Sequence, residues 1–169
     1  FLDKEKGGYF TSREGDEEIV LRLKDDQDGA EPCSNSVSAM NLIRLGRILN
    51  NQSFSEKGEN VVKLYSERLD QMPHALPAMV EAYLHLHQAE PLVVITGEAE
   101  GHPLLRHLHT HHLPSHDILG VSPQTKSAHA ALADTDTRQG AYLLRAGTLS
   151  KFADTVEQFL ELIDIYAKK

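Results

Sequence analysis

The chain has 169 residues, a formal net charge of −8, and 40% hydrophobic and 25% charged side chains, which fit one globular domain or the packed end of a larger one and exclude a disordered chain. No apolar stretch approaches the ~20 residues of a membrane-spanning helix. The 25 acidic against 17 basic residues argue against wide contact with nucleic acid, and one cysteine excludes an internal disulfide.

Phe1 stands where an initiator methionine would, and no signal pattern follows it. The chain reads as a piece of a longer polypeptide, with any targeting segment upstream and the compartment, cytoplasmic or secreted, left open. Charge and periodicity divide it near residue 90: residues 1–90 carry 10 basic and 16 acidic side chains, residues 91–169 carry 7 and 9.

Helical spacing comes first. Ser34, Asn35 and Ser36 offer N-caps, and apolar residues from Val37 to Leu49 recur so densely that a buried helix over 36–49 is predicted. Asn50-Asn51 stops it. A second helix is predicted over 56–70 with Val61, Val62, Tyr65 and Leu69 inward, and a third over 77–88, opened by Pro77, with Val80, Tyr83 and Leu84 inward. Short joints imply antiparallel hairpins.

After Pro91 the pattern changes. Leu92–Thr96 is a short β-branched run and reads as a buried strand; 117–121 and 141–145 read as two more. Pro103–His112 and Phe152–Tyr166 read as helices, and Ser122–Gln139 as a mobile loop with one Ala-rich helical turn at best. Strands alternating with helices imply a small, mainly parallel α/β segment, so the fold class is mixed α and α/β.

The densest polar stretch, Arg22 to Pro32, lies just before the first helix. Gly29 and Pro32 disfavour regular structure there, gathering carboxylates, cations and an amide on one loop. Asp25, Asp28 and Glu31 are candidate acid/base or hydroxyl-accepting groups, with Arg22, Lys24 and Asn35 as ligand-binding partners. The plainer alternative is a solvated turn with a helix cap, in which Asp28 and Glu31 fix the loop against the helix start. Asp26-Gln27-Asp28-Gly29 lacks the remaining EF-hand ligands, which excludes that calcium loop. Six histidines fall between 102 and 116, with His107 and His111 four apart, but they match no known zinc spacing, so no metal and no cofactor are expected. Cys33 is read as structural. No phosphate-binding glycine motif follows Leu92–Gly97.

Gly7-Gly8-Tyr9-Phe10, the run Leu21–Pro32, Ser34–Ala39 and Asn41–Leu45 together resemble the C-terminal third of the spermatogenesis-associated protein 20 family, a thioredoxin-domain-containing family. Ala75–Val80 and Pro91–Gly97 continue the similarity in order. The resemblance implies an upstream thioredoxin-like domain and an (α/α)6 barrel similar to N-acylglucosamine 2-epimerases and six-hairpin glycosidases. Residues 1–90 would be the last barrel hairpins and 91–169 a small α/β segment. The upstream barrel and thioredoxin-like domain would be the partners, with a sugar as ligand if the 24–35 loop lines the barrel mouth, and an exposed helix face open to self-association. Two roles compete: a scaffold or pseudo-enzyme barrel module that is non-catalytic alone, and part of a sugar epimerase or isomerase. The sequence departs from the family at Cys33, where serine is usual. It departs again after Tyr142, where Leu143-Leu144-Arg145 replaces a paired-cysteine pattern.

Overall fold

The change of side-chain period at Pro91 has a direct structural counterpart. The computed structural model describes residues 1–87, 91–110, 117–145 and 147–167. The chain divides into two units, one from residues 1–47 and 51–88, the other from 48–50 and 89–169.

In the first unit, residues 1–33 form loops and α1 (Ser34–Ile48), α2 (Gln52–Leu64), α3 (Ser66–Gln71) and α4 (Pro77–His87) follow. Asn50, at φ 48°, ends α1, and the Asn51 side chain accepts the Ser53 N–H at 3.0 Å to begin α2, so the Asn-Asn pair both stops and starts a helix. α1 and α2 meet almost backbone to backbone: a Cβ on Gly46 would lie 2.8 Å from the Ser55 nitrogen. Ala39, Ile43, Val61, Val62, Leu76, Met79 and Ala82 form the core.

Three helical expectations are corrected. The helix predicted over 56–70 breaks at Tyr65, whose N–H tightens onto the Val62 carbonyl, three residues back, before α3 restarts. The buried face of α4 is one residue out of phase with the prediction: Met79 and Ala82 are buried, while Tyr83 and Leu84 are exposed. The first helix is not buried all round, since Val37, Leu45 and Leu49 remain about 40% exposed. Gln88, the last residue of the third predicted helix, lies outside the described residues.

The second unit is one four-stranded sheet, β1 (Leu92–Thr96), β2 (Ile118–Gly120), β3 (Gly140–Arg145) and β4 (Thr148–Leu149), in the order β2-β1-β3-β4. α5 (Pro103–Thr110) joins β1 to β2, and α7 (Val156–Ala167) follows β4. All five residues of β1 are buried, which is why it reads as an unbroken apolar run. Val93 and Ile95 pack with Leu104, Leu108, Leu143 and Phe159; Leu92 and Val94 pack on the other face with Leu119, Leu132 and Tyr142.

The sheet is mixed, not mainly parallel. Only β1–β2 is parallel (Val93↔Ile118); β1–β3 and β3–β4 are antiparallel. Two residues separate β3 from β4, a connection too short for anything but an antiparallel pair. The stretch 122–139 is not an open loop: it holds α6 (Pro123–Ala128), opened by a Ser122/Thr125 capping box, and a 3-10 turn whose Leu132 is fully buried. Short polar helices of this kind have too little periodicity to read from sequence. The last helix starts at Val156 rather than Phe152, because Ala153 is held extended by two backbone bonds to Ala141. Residues 111 and 112, predicted to end the helix after Pro103, lie outside the described residues. No described helix is long and apolar enough to cross a membrane.

Candidate functional site

The polar loop before α1 folds onto the helix starts. Partly buried Asp28 is its centre: Oδ1 accepts the Cys33 N–H and Oδ2 the Ala78 N–H, both at 2.8 Å. Cys33 stands immediately before α1, and Ala78 is the second residue of α4. One carboxylate therefore satisfies orphan donors at two helix N-termini and faces the positive end of both dipoles. Burial opposes its charge, but those N–H groups and the Ser36 hydroxyl outweigh it and hold Asp28 below the usual carboxylate range. The Asp28 N–H donates to the Ala75 carbonyl at 2.8 Å, closing the clamp.

Asn35 is fully buried and works as a second lock. Its Oδ1 accepts the Tyr9 N–H at 2.8 Å and its Nδ2 donates to the Tyr9 carbonyl at 2.9 Å. Both ends of its amide are therefore engaged by the Tyr9 main chain, a contact that ties the N-terminal segment to α1. Gly8, at φ +71°, brings the chain to it: a Cβ there would lie 3.0 Å from Asn35 Oδ1.

The cations are engaged as well. Lys24 pairs with Asp3 at 2.8 Å and donates to the Gly7 carbonyl at 2.5 Å; the Lys24 bond holds the Asp3 carboxyl well below its usual range. Arg22 donates to the Ser12 carbonyl at 3.1 Å and lies 4.0 Å from the Phe10 ring centroid. The Tyr65 hydroxyl donates to the Asp25 carbonyl at 2.9 Å; burial, with Cys33, Asp26 and Asp25 nearby, pushes that phenol well above its usual value.

Two candidate acids remain free. Asp25 and Glu31 are exposed, and no described residue partners either carboxylate; Glu31 contributes only its main-chain carbonyl, bonded to the Gly29 N–H at 3.0 Å. The expectation that Glu31 fixes the loop through its side chain is therefore corrected: Pro32 turns the chain so that Glu31 faces water. A hollow of about 380 Å³ beside the loop has Tyr9, Phe10, Asp25 and Ser34 among its walls. Sequence reasoning missed Asp3, Tyr9 and Tyr65, the partners of Lys24, Asn35 and Asp25. Only the Gly7-Gly8-Tyr9-Phe10 run hinted at them, as a glycine pair marks close backbone approach.

Elsewhere, among the described residues, the histidines form no metal-holding group. His102 is buried before α5, its Nε2 donating to the Thr96 carbonyl at 3.0 Å and its Nδ1 accepting the Leu105 N–H at 3.4 Å, which uses both ring nitrogens. His111, His112 and His116 lie outside the described residues, and no group of three or more His, Cys, Asp or Glu placed to hold a metal occurs among the described ones. Cys33 is buried, 3.3 Å from the Ser36 hydroxyl.

No family model matches the chain, and no solved structure matches it. It is 40% identical over 119 residues to spermatogenesis-associated protein 20 of Rattus norvegicus and equally to that of Homo sapiens, covering 68% of this chain and 15% of each relative. An uncharacterized protein of Caenorhabditis elegans is 29% identical over 168 residues, 93% of this chain and 22% of that protein. The chain thus spans less than a quarter of the length of these relatives.

Proposed function

We propose that this chain, which those similarities assign to the spermatogenesis-associated protein 20 family, is a non-catalytic structural module of a longer polypeptide. In this reading the first unit supplies the last hairpins of an (α/α) barrel, and the whole protein carries a thioredoxin-like domain upstream. The observation that carries it is the consumption of the loop's polar groups. Asp28, Asn35, Lys24 and Arg22 all bond within the chain, three of them to main-chain groups of the N-terminal segment, so each is occupied before any ligand arrives. A carboxylate acting as general acid or base needs a free lone pair and a pKa near working pH; Asp28 has its charge stabilised in the opposite direction.

One observation favours a second reading, a carbohydrate site: Asp25 lines a hollow together with the three aromatic rings of Phe1, Tyr9 and Phe10 and remains free. A melting-temperature screen against neutral and N-acetylated monosaccharides separates the two, because a ligand that binds only the folded state raises its stability. The structural reading expects no sugar response in the wild type and none created or lost in Asp25→Ala or Glu31→Ala. A sugar-dependent rise abolished by Asp25→Ala would transfer the assignment to carbohydrate chemistry.

A further inference from the structure

The segment Ile19–Lys24 is inside out. It holds no helix or strand, yet from Leu21 to Lys24 its side chains alternate as in an extended strand. Arg22 and Lys24 face inward, their cationic groups 4.0 Å and 5.1 Å from the Phe10 ring centroid. Their apolar neighbours face water: Leu21 is 71% exposed, Leu23 58%, and Val20 is wholly exposed. A strand with only solvent beyond it would have the opposite arrangement, cations out and aliphatics in. Here the register cannot slip by one residue without breaking the Lys24–Asp3 ion pair and the Arg22–Ser12 bond.

The main chain is open in the same place. The Leu23 carbonyl accepts the Thr11 N–H at 2.9 Å, so one side is attached, but among the described residues the N–H and C=O groups of Val20, Leu21 and Arg22 have no partner. Unpaired backbone beside exposed aliphatic side chains is a template for strand addition. We propose that Ile19–Leu23 is completed by an extended aliphatic segment of the longer polypeptide, which pairs with its main chain and covers Val20, Leu21 and Leu23. This inference rests on the reading of the chain as a module. The occupant follows from chain length: the worm relative aligns along 168 residues here using 22% of its own length, so most of such a protein lies elsewhere. Glu14, Glu17 and Glu18 precede the segment, so the incoming strand carries lysine or arginine at that end.

Amide hydrogen exchange on the longest natural polypeptide that contains this sequence tests it, beside the 169-residue chain. The amides of Val20 and Arg22, which alternate with the Thr11-facing Leu21 and Leu23, should exchange roughly 100-fold more slowly in the longer protein. The double variant Leu21→Lys/Leu23→Lys should abolish that protection while β1 amides stay protected, and should leave the melting temperature of the 169-residue chain unchanged. Unprotected amides in the wild-type longer protein overturn the inference whether or not the variant folds, and leave the module reading standing. Protection that grows with concentration in the 169-residue chain assigns the edge to a second copy instead. A natural product ending at these 169 residues removes both readings.

Discussion

Replacing Asp28 by alanine leaves two helix-start N–H groups without their acceptor. Each bond is charge-assisted at 2.8 Å, worth about 1.5–3 kcal/mol when its partner is charged. The dipole interaction adds about 0.3–1 kcal/mol at each helix. Because Asp28 is only partly buried, water can reach the freed donors and recovers part of this, so the expected net loss is about 2–4 kcal/mol. Asp28→Asn keeps one carbonyl oxygen but turns an amide donor toward an N–H, and should lose about half as much. Urea unfolding followed by circular dichroism reads this as a lower midpoint at constant slope in the first unit's transition. Glu31→Ala, exposed and without a side-chain partner, is the control and should move stability by no more than about 0.5 kcal/mol. An Asp28→Ala loss as small as that of Glu31→Ala would refute the clamp.

Asn35→Ala leaves the Tyr9 N–H and carbonyl without partners in a partly buried site and should cost about 1–3 kcal/mol, measured the same way. Gly46→Ala drives a Cβ into Ser55 and should cost about 1–3 kcal/mol by overpacking α1 against α2. Leu132→Ala, in the stretch that sequence reads as a mobile loop, should cost about 2–5 kcal/mol; a neutral result would return 122–139 to loop status. Asp28 and Asp3 have lowered pKa values in the folded state, so the unfolded chain binds their protons first. Their contribution is complete above the ordinary aspartate value near 3.8 and is lost as pH falls below it. Acid unfolding of Asp28→Ala should accordingly begin from lower stability and show a shallower slope between pH 4 and pH 2, as seen by circular dichroism.

Strand β1 was legible because it is buried on both faces, so its apolar run carries no helical period; β4, two residues long, is too short to leave a pattern and was not expected. The mixed pairing was not legible, since local pattern does not encode which neighbour a strand chooses. In α4 the apolar residues surround most of the helix, and phase could not be read from them; the choice of Met79 and Ala82 as the buried face belongs to tertiary packing. At the candidate site the sequence showed where polar groups gather but not whom they meet. The distance from Asn35 to Tyr9 is 26 residues and from Asp28 to Ala78 is 50, and only folding brings those main-chain groups within reach. A carboxylate that clamps two helices and one that serves a substrate look alike in a sequence.

The Asp28 carboxyl itself offers the most direct measurement. Its side-chain carbon signal can be followed by NMR against pH, with and without a high concentration of monosaccharide. A structural clamp titrates below the ordinary aspartate value and is unmoved by sugar. A titration at or above that value, or a signal that shifts when sugar is added, would contradict the assignment of this loop to structure.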